Sequence, residues 1–256
     1  MIRFGPAGLG GVKRALKTLE EYHSQGLQAC EIAFTYGVYI KEEDTKNIRK
    51  KAQDLDIRLS IHAPYYINLN AADAGKLKAS KERIIQCCAI GELLGAKTVV
   101  FHPGYYGEDR EGAYTSIASS IRELVAEIKR RQYTIQLAPE TMGKVNVFGG
   151  IDEVSRLVRD TGCGFCIDFA HILARDKKVD YTEVLRLFPG KEWHVHFSGI
   201  AYGEKGEKHH LTTETSAWKE LLKHLPTEKE ITIINESPTH VEDSVEGLKI
   251  AKKLGL

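Results

Sequence analysis

Short apolar runs that each end in a histidine or a carboxylate recur along this 256-residue chain. Six of these runs end, in chain order, at His62, His102, Glu140, Asp168, His196 and Glu236. Nearly continuous apolar runs of this kind are typical of strands that are buried on both faces of a parallel sheet. Metal-competent side chains at so many strand ends constrain the fold, because they can act together only where those ends meet.

Eight segments in total are predicted strands, and patterns of helical spacing separate them. The strands are 2–5, 29–34, 58–61, 97–101, 134–138, 164–167, 193–197 and 230–235. The helical patterns cover 12–25, 80–94, 117–130, 152–159, 182–188, 216–225 and 241–253. Such alternation fits a closed (β/α)8 barrel or a doubly wound open sheet. The barrel is favoured, because all eight of its strands present their carboxyl ends to one site, whereas an open sheet gathers ligands mainly at its switch point.

Length and composition favour one globular domain. A chain of 256 residues matches a single (β/α)8 barrel, so we expect one domain over 1–256. No apolar run approaches the roughly 18 residues of a membrane span, and the N-terminus does not resemble a secretory signal. We therefore expect a cytoplasmic protein without a membrane partner. The net charge of +1 is not that of a typical nucleic-acid binder, so DNA binding would require a local basic surface.

The five cysteines do not suggest a disulfide framework in an intracellular chain. Cys163 and Cys166 form one C-x-x-C pair, which is compatible with a redox or zinc site. An odd spacing within a strand, however, points side chains to opposite faces, and no second C-x-x-C exists. We favour buried structural cysteines.

Three further residues extend the strand-end set to nine metal-competent side chains. His171 lies three residues after Asp168, so both can face one point if a helical turn follows the strand. Glu207 and His209 lie on the polar loop GEKGEKHH, where His210 is the adjacent competitor and a solvated charged loop is the ordinary alternative. Nine donors are too many for one ion. Imidazole and carboxylate donors suit zinc, manganese or iron, so the pattern predicts a metal cluster with hydrolytic or Lewis-acid chemistry.

His194 and His196 share one face of their predicted strand. His196 is nearer the carboxyl end, so it is the predicted ligand. His194 would lie one layer deeper, as a packed histidine or as a support for a ligand.

Seven motifs along the whole chain resemble the endonuclease IV family of apurinic/apyrimidinic (AP) endonucleases. They are HAPYYINLN at 62–70, FHPG at 101–104, APETMGK at 138–144, CIDFAH at 166–171, HF at 196–197, EKH at 207–209 and NESP at 235–238. The first two are the most specific. The resemblance implies a (β/α)8 barrel with three zinc ions. It also implies hydrolysis of the phosphodiester 5′ to an abasic site in double-stranded DNA, as a step of base-excision repair.

The resemblance assigns the nine donors to three ions, motif by motif. They are His62, His102 and Glu140 for the first, Glu140, Asp168, His196 and Glu236 for the second, and His171, Glu207 and His209 for the third. Glu140 would bridge two ions and is the expected catalytic residue. Manganese or iron would also suit these ligands. Glu207 departs from the family, which usually has aspartate at this position.

DNA contacts are expected from the loops at the carboxyl ends of the strands. Tyr65 and Tyr66 match the position where the family inserts side chains into the base stack, although packing on the barrel rim is equally open for Tyr66. Tyr39 lies near the position where the family commonly offers an arginine. Lys144 and Arg175 are expected to contact phosphates. A monomer is expected, since an enzyme with one DNA site needs no symmetry.

Two other functions remain open. Glu140, Asp168, His196 and Glu236 alone would make a one-metal site of the kind found in sugar isomerases and epimerases of the xylose-isomerase-like barrels. The discriminating residues are the other five donors: His62, His102, His171, Glu207 and His209. A DNA- or metal-binding protein without turnover is the third possibility.

Overall fold

Eight parallel strands close into a barrel in this computed structural model, which describes residues 1–256 and confirms the predicted (β/α)8 fold. The chain has ten strands in all: β1 (Ile2–Pro6), β2 (Ala29–Ala33), β3 (Arg58–His62), β4 (Thr98–Phe101), β5 (Gln136–Pro139), β6 (Cys166–Asp168), β7 (Glu192–Phe197), β8 (Gly199–Gly203), β9 (Gly206–Leu211) and β10 (Glu230–Asn235). All except β8 and β9 belong to the barrel, in two sheets of order β1–β10–β7–β6 and β2–β3–β4–β5. The parallel bridges Ala7–Glu31 and Glu140–Cys166 join these sheets at the two seams.

Nine helices surround the barrel. They are α1 (Ala15–Ser24), α2 (Glu42–Asp54), α3 (Ala74–Leu94), α4 (Arg110–Arg130), α5 (Ile151–Thr161), α6 (Phe169–Asp176), α7 (Tyr181–Leu187), α8 (Thr215–His224) and α9 (His240–Lys253). The helical spacing in the sequence does not predict α2, because this helix is largely charged and buries only Thr45, Ile48 and Ala52. None of the nine combines the length and apolarity that a bilayer-spanning helix needs.

The interior of the barrel contains a column of polar side chains. In other (β/α)8 barrels, layers of branched apolar side chains usually fill this space. Here Ser60 on β3 lies in register with Glu31 on β2, and the Glu31 carboxylate reaches His194 on β7. Nearer the amino end, Arg58 contacts Glu230 at 3.1 Å. Apolar packing is therefore concentrated between the strands and the helices, while polar side chains line the interior of the barrel up to the carboxyl ends of the strands.

The polar loop between β7 and α8 forms an antiparallel hairpin of β8 and β9. The pairing register shifts by one residue in β9, so that Lys208 has no partner in the ladder and forms a bulge. A bulge reverses the simple alternation of side chains beyond it, and this decides which histidine of the hairpin faces the barrel.

The five cysteines are free and buried. Burial raises the pKa of Cys163 to about 11, so its thiol stays protonated near neutral pH. This agrees with a structural role for Cys163.

Candidate metal centre

A cleft of about 550 Å³ opens at the carboxyl ends of the barrel strands. Five of the predicted ligands line this cleft: His62, His102, His171, Glu207 and Glu236. Three more lie fully buried against them: Glu140, Asp168 and His196. The strands thus bring eight of the nine predicted ligands to one place. Together with His210, which lines the same cleft, they include three groups of donor atoms that could each hold an ion.

The first group consists of His62, His102 and Glu140, whose donor atoms all lie within 4.8 Å of one another. Glu140 Oε2 is 3.3 Å from His62 Nε2 and 3.0 Å from His102 Nε2. The Nδ1 atom of His62 lies 2.8 Å from the Ala63 carbonyl oxygen, which leaves Nε2 to face Glu140. Two imidazoles and a carboxylate converging in this way suit a zinc ion.

The second group consists of Glu140, Asp168, His196 and Glu236. His196 Nδ1 is 3.0 Å from Glu140 Oε1 and 3.4 Å from Glu236 Oε2. The Oδ2 atom of Asp168 is buried and has no hydrogen-bond partner. A buried carboxylate oxygen without a partner is costly, so its presence beside three other donors fits a bound cation. Glu140 offers one oxygen to each of the first two groups and can bridge two ions.

The third group consists of His171, Glu207 and His210, whereas the assignment from the sequence has His209 in place of His210. His171 Nε2 lies 3.5 Å from Glu207 Oε2, and Ser198 Oγ lies 2.6 Å from His210 Nδ1. His209, the predicted ligand, is exposed and lies outside this group. The bulge at Lys208 is the reason. Because Lys208 and His209 are both exposed, the next residue on the same face as Glu207 is His210, three positions along the chain, and not His209, two positions along.

Two glycines allow the hairpin to approach the cluster closely. A Cβ at Gly143, on the loop after β5, would lie only 2.7 Å from Glu207 Cβ and 3.0 Å from His171 Cδ2. Gly206 has a φ of +89°, and a Cβ there would lie 2.1 Å from the Gly143 carbonyl oxygen. Larger residues at either position would push Glu207 away from His171. Asp168 completes the arrangement, because its Oδ1 accepts a hydrogen bond from the His171 amide at 2.7 Å and caps α6.

The buried histidines and carboxylates of the cleft shift one another's pKa values. Burial opposes ionisation of Glu140, but the neighbouring charge of His196 and hydrogen bonds from the histidines around it hold its pKa well below the usual range. Burial likewise opposes protonation of His62, yet Glu140 raises the pKa of His62 to about 9. For Asp168, burial raises the pKa to about 6. A divalent cation can replace such protons as the balancing charge.

Tyr65 packs against two ligands of the first group. Its ring centroid lies 5.1 Å from that of His62 and 5.2 Å from that of His102. The residue is still 47% exposed, so part of it is open to the solvent at the cleft. Tyr66 is 50% exposed and lies under the guanidinium of Arg83, whose carbon is 4.7 Å from the ring centroid.

The other predicted DNA contacts differ in their surroundings. Lys144 is exposed and lines the cleft, and Tyr39 is partly exposed with its ring edge-on to Phe34. Arg175 is instead held within the protein. Its guanidinium donates to the carbonyl oxygens of Lys144 and Val147 at 2.7 and 2.9 Å, and its side chain is only 11% exposed. The geometry therefore makes Arg175 a clamp on the loop after β5, not a cation presented to phosphate.

Two features of the site were not predicted from the sequence. Glu31 is fully buried beneath the metal groups and is part of the cleft wall. It lies in the middle of β2 and not at its end. The only sign of its role in the sequence is that it is an isolated charged residue within an apolar run. Tyr36 and Tyr105 are exposed on the loops after β2 and β4, so they add to the aromatic side chains around the cleft.

The family model described as the xylose isomerase-like TIM barrel matches residues 19–254. This chain belongs to the xylose isomerase-like TIM barrel family. An uncharacterized protein of Methanocaldococcus jannaschii is 36% identical over 271 aligned positions, which cover 99% of this chain and 98% of that protein. The apurinic-apyrimidinic endonuclease of Caenorhabditis elegans is 30% identical over 193 positions. That alignment covers 66% of this chain and only 48% of the worm protein.

Solved structures with this xylose isomerase-like fold include both endonucleases and epimerases. SacUVDE has a TM-score of 0.78 at 16% identity and full coverage of this chain, with 99% of its own chain aligned. Endonuclease IV from Thermus thermophilus has a TM-score of 0.71 at 20% identity, covering 98% of this chain and 97% of that one. D-psicose 3-epimerase, with a TM-score of 0.72 at 17% identity, covers 98% of each chain. Similarity at these identities establishes the fold alone.

The assignment of His210 to the third group predicts different results for two neighbouring substitutions. His210→Ala should weaken zinc binding at this group by at least about tenfold, because an imidazole donor is lost. His209→Ala is the matched control and should leave binding unchanged. Zinc titration against a competing chelator measures both. Normal binding in the His210 variant together with a loss in the His209 variant would restore the assignment made from the sequence.

The balance of charge predicts that zinc affinity depends on pH. His62 has a pKa of about 9, so at neutral pH it carries a proton that a metal must displace. Burial lowers the pKa of His102, so a metal displaces no proton from that residue at neutral pH. Affinity for the first ion should therefore rise about tenfold per pH unit for each displaced proton, and level off above about pH 9. Dissociation constants in metal buffers across this range give the slope. A flat profile would contradict the prediction.

Proposed function

We propose that this protein is a zinc-dependent AP endonuclease that hydrolyses the phosphodiester 5′ to abasic sites in double-stranded DNA during base-excision repair. The observation that carries the proposal is the position of Glu140, which belongs to the first two donor groups and contacts His171 of the third. Its Oε2 faces His62 and His102, and its Oε1 lies 3.0 Å from His196 Nδ1 and 3.4 Å from His171 Nδ1. One buried carboxylate thus links groups that could hold a cluster of ions.

The number of donors favours phosphodiester hydrolysis over sugar isomerisation. A one-metal site needs only the second group. The first and third groups add His62, His102, His171, Glu207 and His210, which a one-metal enzyme would not require. Clusters of divalent ions are suited to in-line displacement at phosphorus, where both the attacking and the leaving oxygen carry charge. Zinc fits the histidine and carboxylate donors, and manganese or iron would also fit.

The side chains around the cleft favour a phosphate ester as substrate. Bound divalent ions would supply charge neutralisation and an acidified water, which is the main chemistry that phosphodiester hydrolysis needs. We expect water to be the nucleophile, since metal-activated hydrolysis requires no serine or cysteine. Glu140 would hold the cluster together, and we assign it the catalytic role. Lys144 lines the cleft as an exposed cation that can contact a phosphate.

The exposed tyrosines favour DNA as the polymer that carries this phosphate. Tyr65 is exposed and packs on His62 of the first donor group, a position from which it can wedge into a base stack next to an abasic gap. Stacking on tyrosine tolerates any base, as recognition of a lesion without sequence preference requires. We propose that the protein acts on duplex DNA as a monomer.

A sugar epimerase is the second candidate. The compact group of Glu140, Asp168, His196 and Glu236 is sufficient for a one-metal site, and the similarity in fold to D-psicose 3-epimerase is as great as that to endonuclease IV. A protein that binds abasic DNA without cleaving it is the third.

One set of assays distinguishes the three functions. The zinc-loaded protein is incubated with a labelled duplex that contains one tetrahydrofuran abasic analogue, with the intact duplex, and with a panel of ketohexoses. We expect incision 5′ to the analogue that leaves a 3′ hydroxyl, no incision of the intact duplex, and loss of incision in Glu140→Gln. Epimerised sugar with uncut DNA would instead support the second candidate, and bound but uncut abasic duplex the third.

Tyr65→Ala is predicted to weaken binding to abasic duplex more than binding to intact duplex. The loss should be on the order of tenfold, within the roughly 1–3 kcal/mol that stacking on an aromatic ring provides. Tyr133→Ala is the control, because Tyr133 lies between α4 and β5 at the opposite end of the barrel. Fluorescence anisotropy with both duplexes measures the difference. Equal weakening on the two duplexes would reduce Tyr65 to a packing residue.

A further inference from the structure

Glu31 is a fully buried carboxylate in the barrel interior, one layer below the proposed metal ligands. A buried charge lowers stability by several kcal/mol unless other groups compensate it. It is not a member of any of the three donor groups. Its position therefore requires an explanation other than direct metal binding.

The contacts of Glu31 connect it to the metal centre through His196. The Nδ1 side of the His196 ring faces Glu140 and Glu236, and the Nε2 side faces Glu31 Oε1 at 2.9 Å. The ring is fully buried between these groups. His196 thus lies between the metal group on one side and the Glu31 carboxylate on the other.

Two further contacts fix the Glu31 carboxylate in place. Ser60 Oγ donates a hydrogen bond to Oε2 at 2.8 Å, and His194 Nε2 lies 2.9 Å from the same oxygen. These partners come from β3 and β7, so the carboxylate is held between strands on different sides of the barrel. Oε1 is left with no hydrogen bond of its own and is directed at His196.

We propose that Glu31 is a positioning residue that prepares His196 to bind metal through Nδ1. A neutral imidazole can offer a lone pair at Nδ1 only if the proton is on Nε2, and a carboxylate next to Nε2 selects that tautomer. A histidine that ligates a metal commonly donates its other N–H to a carboxylate, which fixes the ring orientation and makes the ligating nitrogen more basic. The Nε2 and Oε1 atoms are within reach but not aligned for a hydrogen bond, and we expect alignment when Nδ1 binds a metal.

This inference requires that His196 be a metal ligand, but it does not depend on the substrate. It therefore holds for a nuclease and for an epimerase alike, and it can be tested without any activity assay. His194 also gains a role, because it supports the Glu31 carboxylate from the layer below.

The test compares zinc binding to the wild type, Glu31→Gln and Ser60→Ala by chelator competition. Glu31→Gln keeps the size of the side chain but removes its charge, and we expect roughly 10- to 100-fold weaker binding at the second donor group. Ser60→Ala keeps the carboxylate and should change affinity by much less. The third donor group does not contact Glu31, so its affinity should not change. In the cobalt-substituted protein, the visible absorption bands should shift in Glu31→Gln only.

Circular dichroism of the metal-free variants separates positioning from folding. If Glu31→Gln does not fold, Glu31→Asp retains the charge but withdraws it by one methylene, and it should also weaken the second group selectively. Zinc affinity within about twofold of the wild type in a folded variant would overturn the proposal, since a lost carboxylate partner costs more than this. Equal weakening at all three donor groups would also overturn it. The loss of one whole ion would do so as well, because Glu31 would then be a metal ligand itself.

Discussion

The arrangement of the cleft depends on the convergence of four histidines on the buried carboxylate of Glu140. His62, His102 and His196 come from the ends of three strands, and His171 comes from the first turn of α6. Their nitrogens lie between 3.0 and 3.4 Å from the two Glu140 oxygens. Only a closed barrel brings side chains from such distant parts of the sequence to one point. Cations or protons must balance the buried charge, and this links metal binding to the stability of the site.

The polar column below this cluster gives the site its rigidity. Glu31 joins Ser60 and His194 to the ring of His196, so that the ligand layer is supported by polar contacts and not by apolar packing alone. Such supporting contacts usually determine how precisely a metal ligand is held. Tyr65 and Lys144 are exposed at the mouth of the cleft, where we propose that they contact a larger substrate.

The sequence alone was sufficient to predict the barrel, because strand ends are marked by a change from apolar to polar residues. The same change also identified side chains that the structure brings together in one cleft. It was insufficient where the local geometry departs from regular spacing. Because of the bulge at Lys208, His210 and not His209 lies on the same face of the hairpin as Glu207. No pattern in the sequence reveals such a bulge. Arg175 was predicted to be a DNA contact because sequence does not show the loop carbonyls that bind it. Glu31 was missed because its partners lie on distant strands.

The central claim is that the three donor groups hold a metal cluster. Elemental mass spectrometry on protein purified without added metal tests this claim most directly. We predict about three divalent ions per chain, predominantly zinc, one for each donor group. A content of about one ion per chain that does not increase after incubation with zinc would contradict the claim, and would indicate that only the second group binds metal.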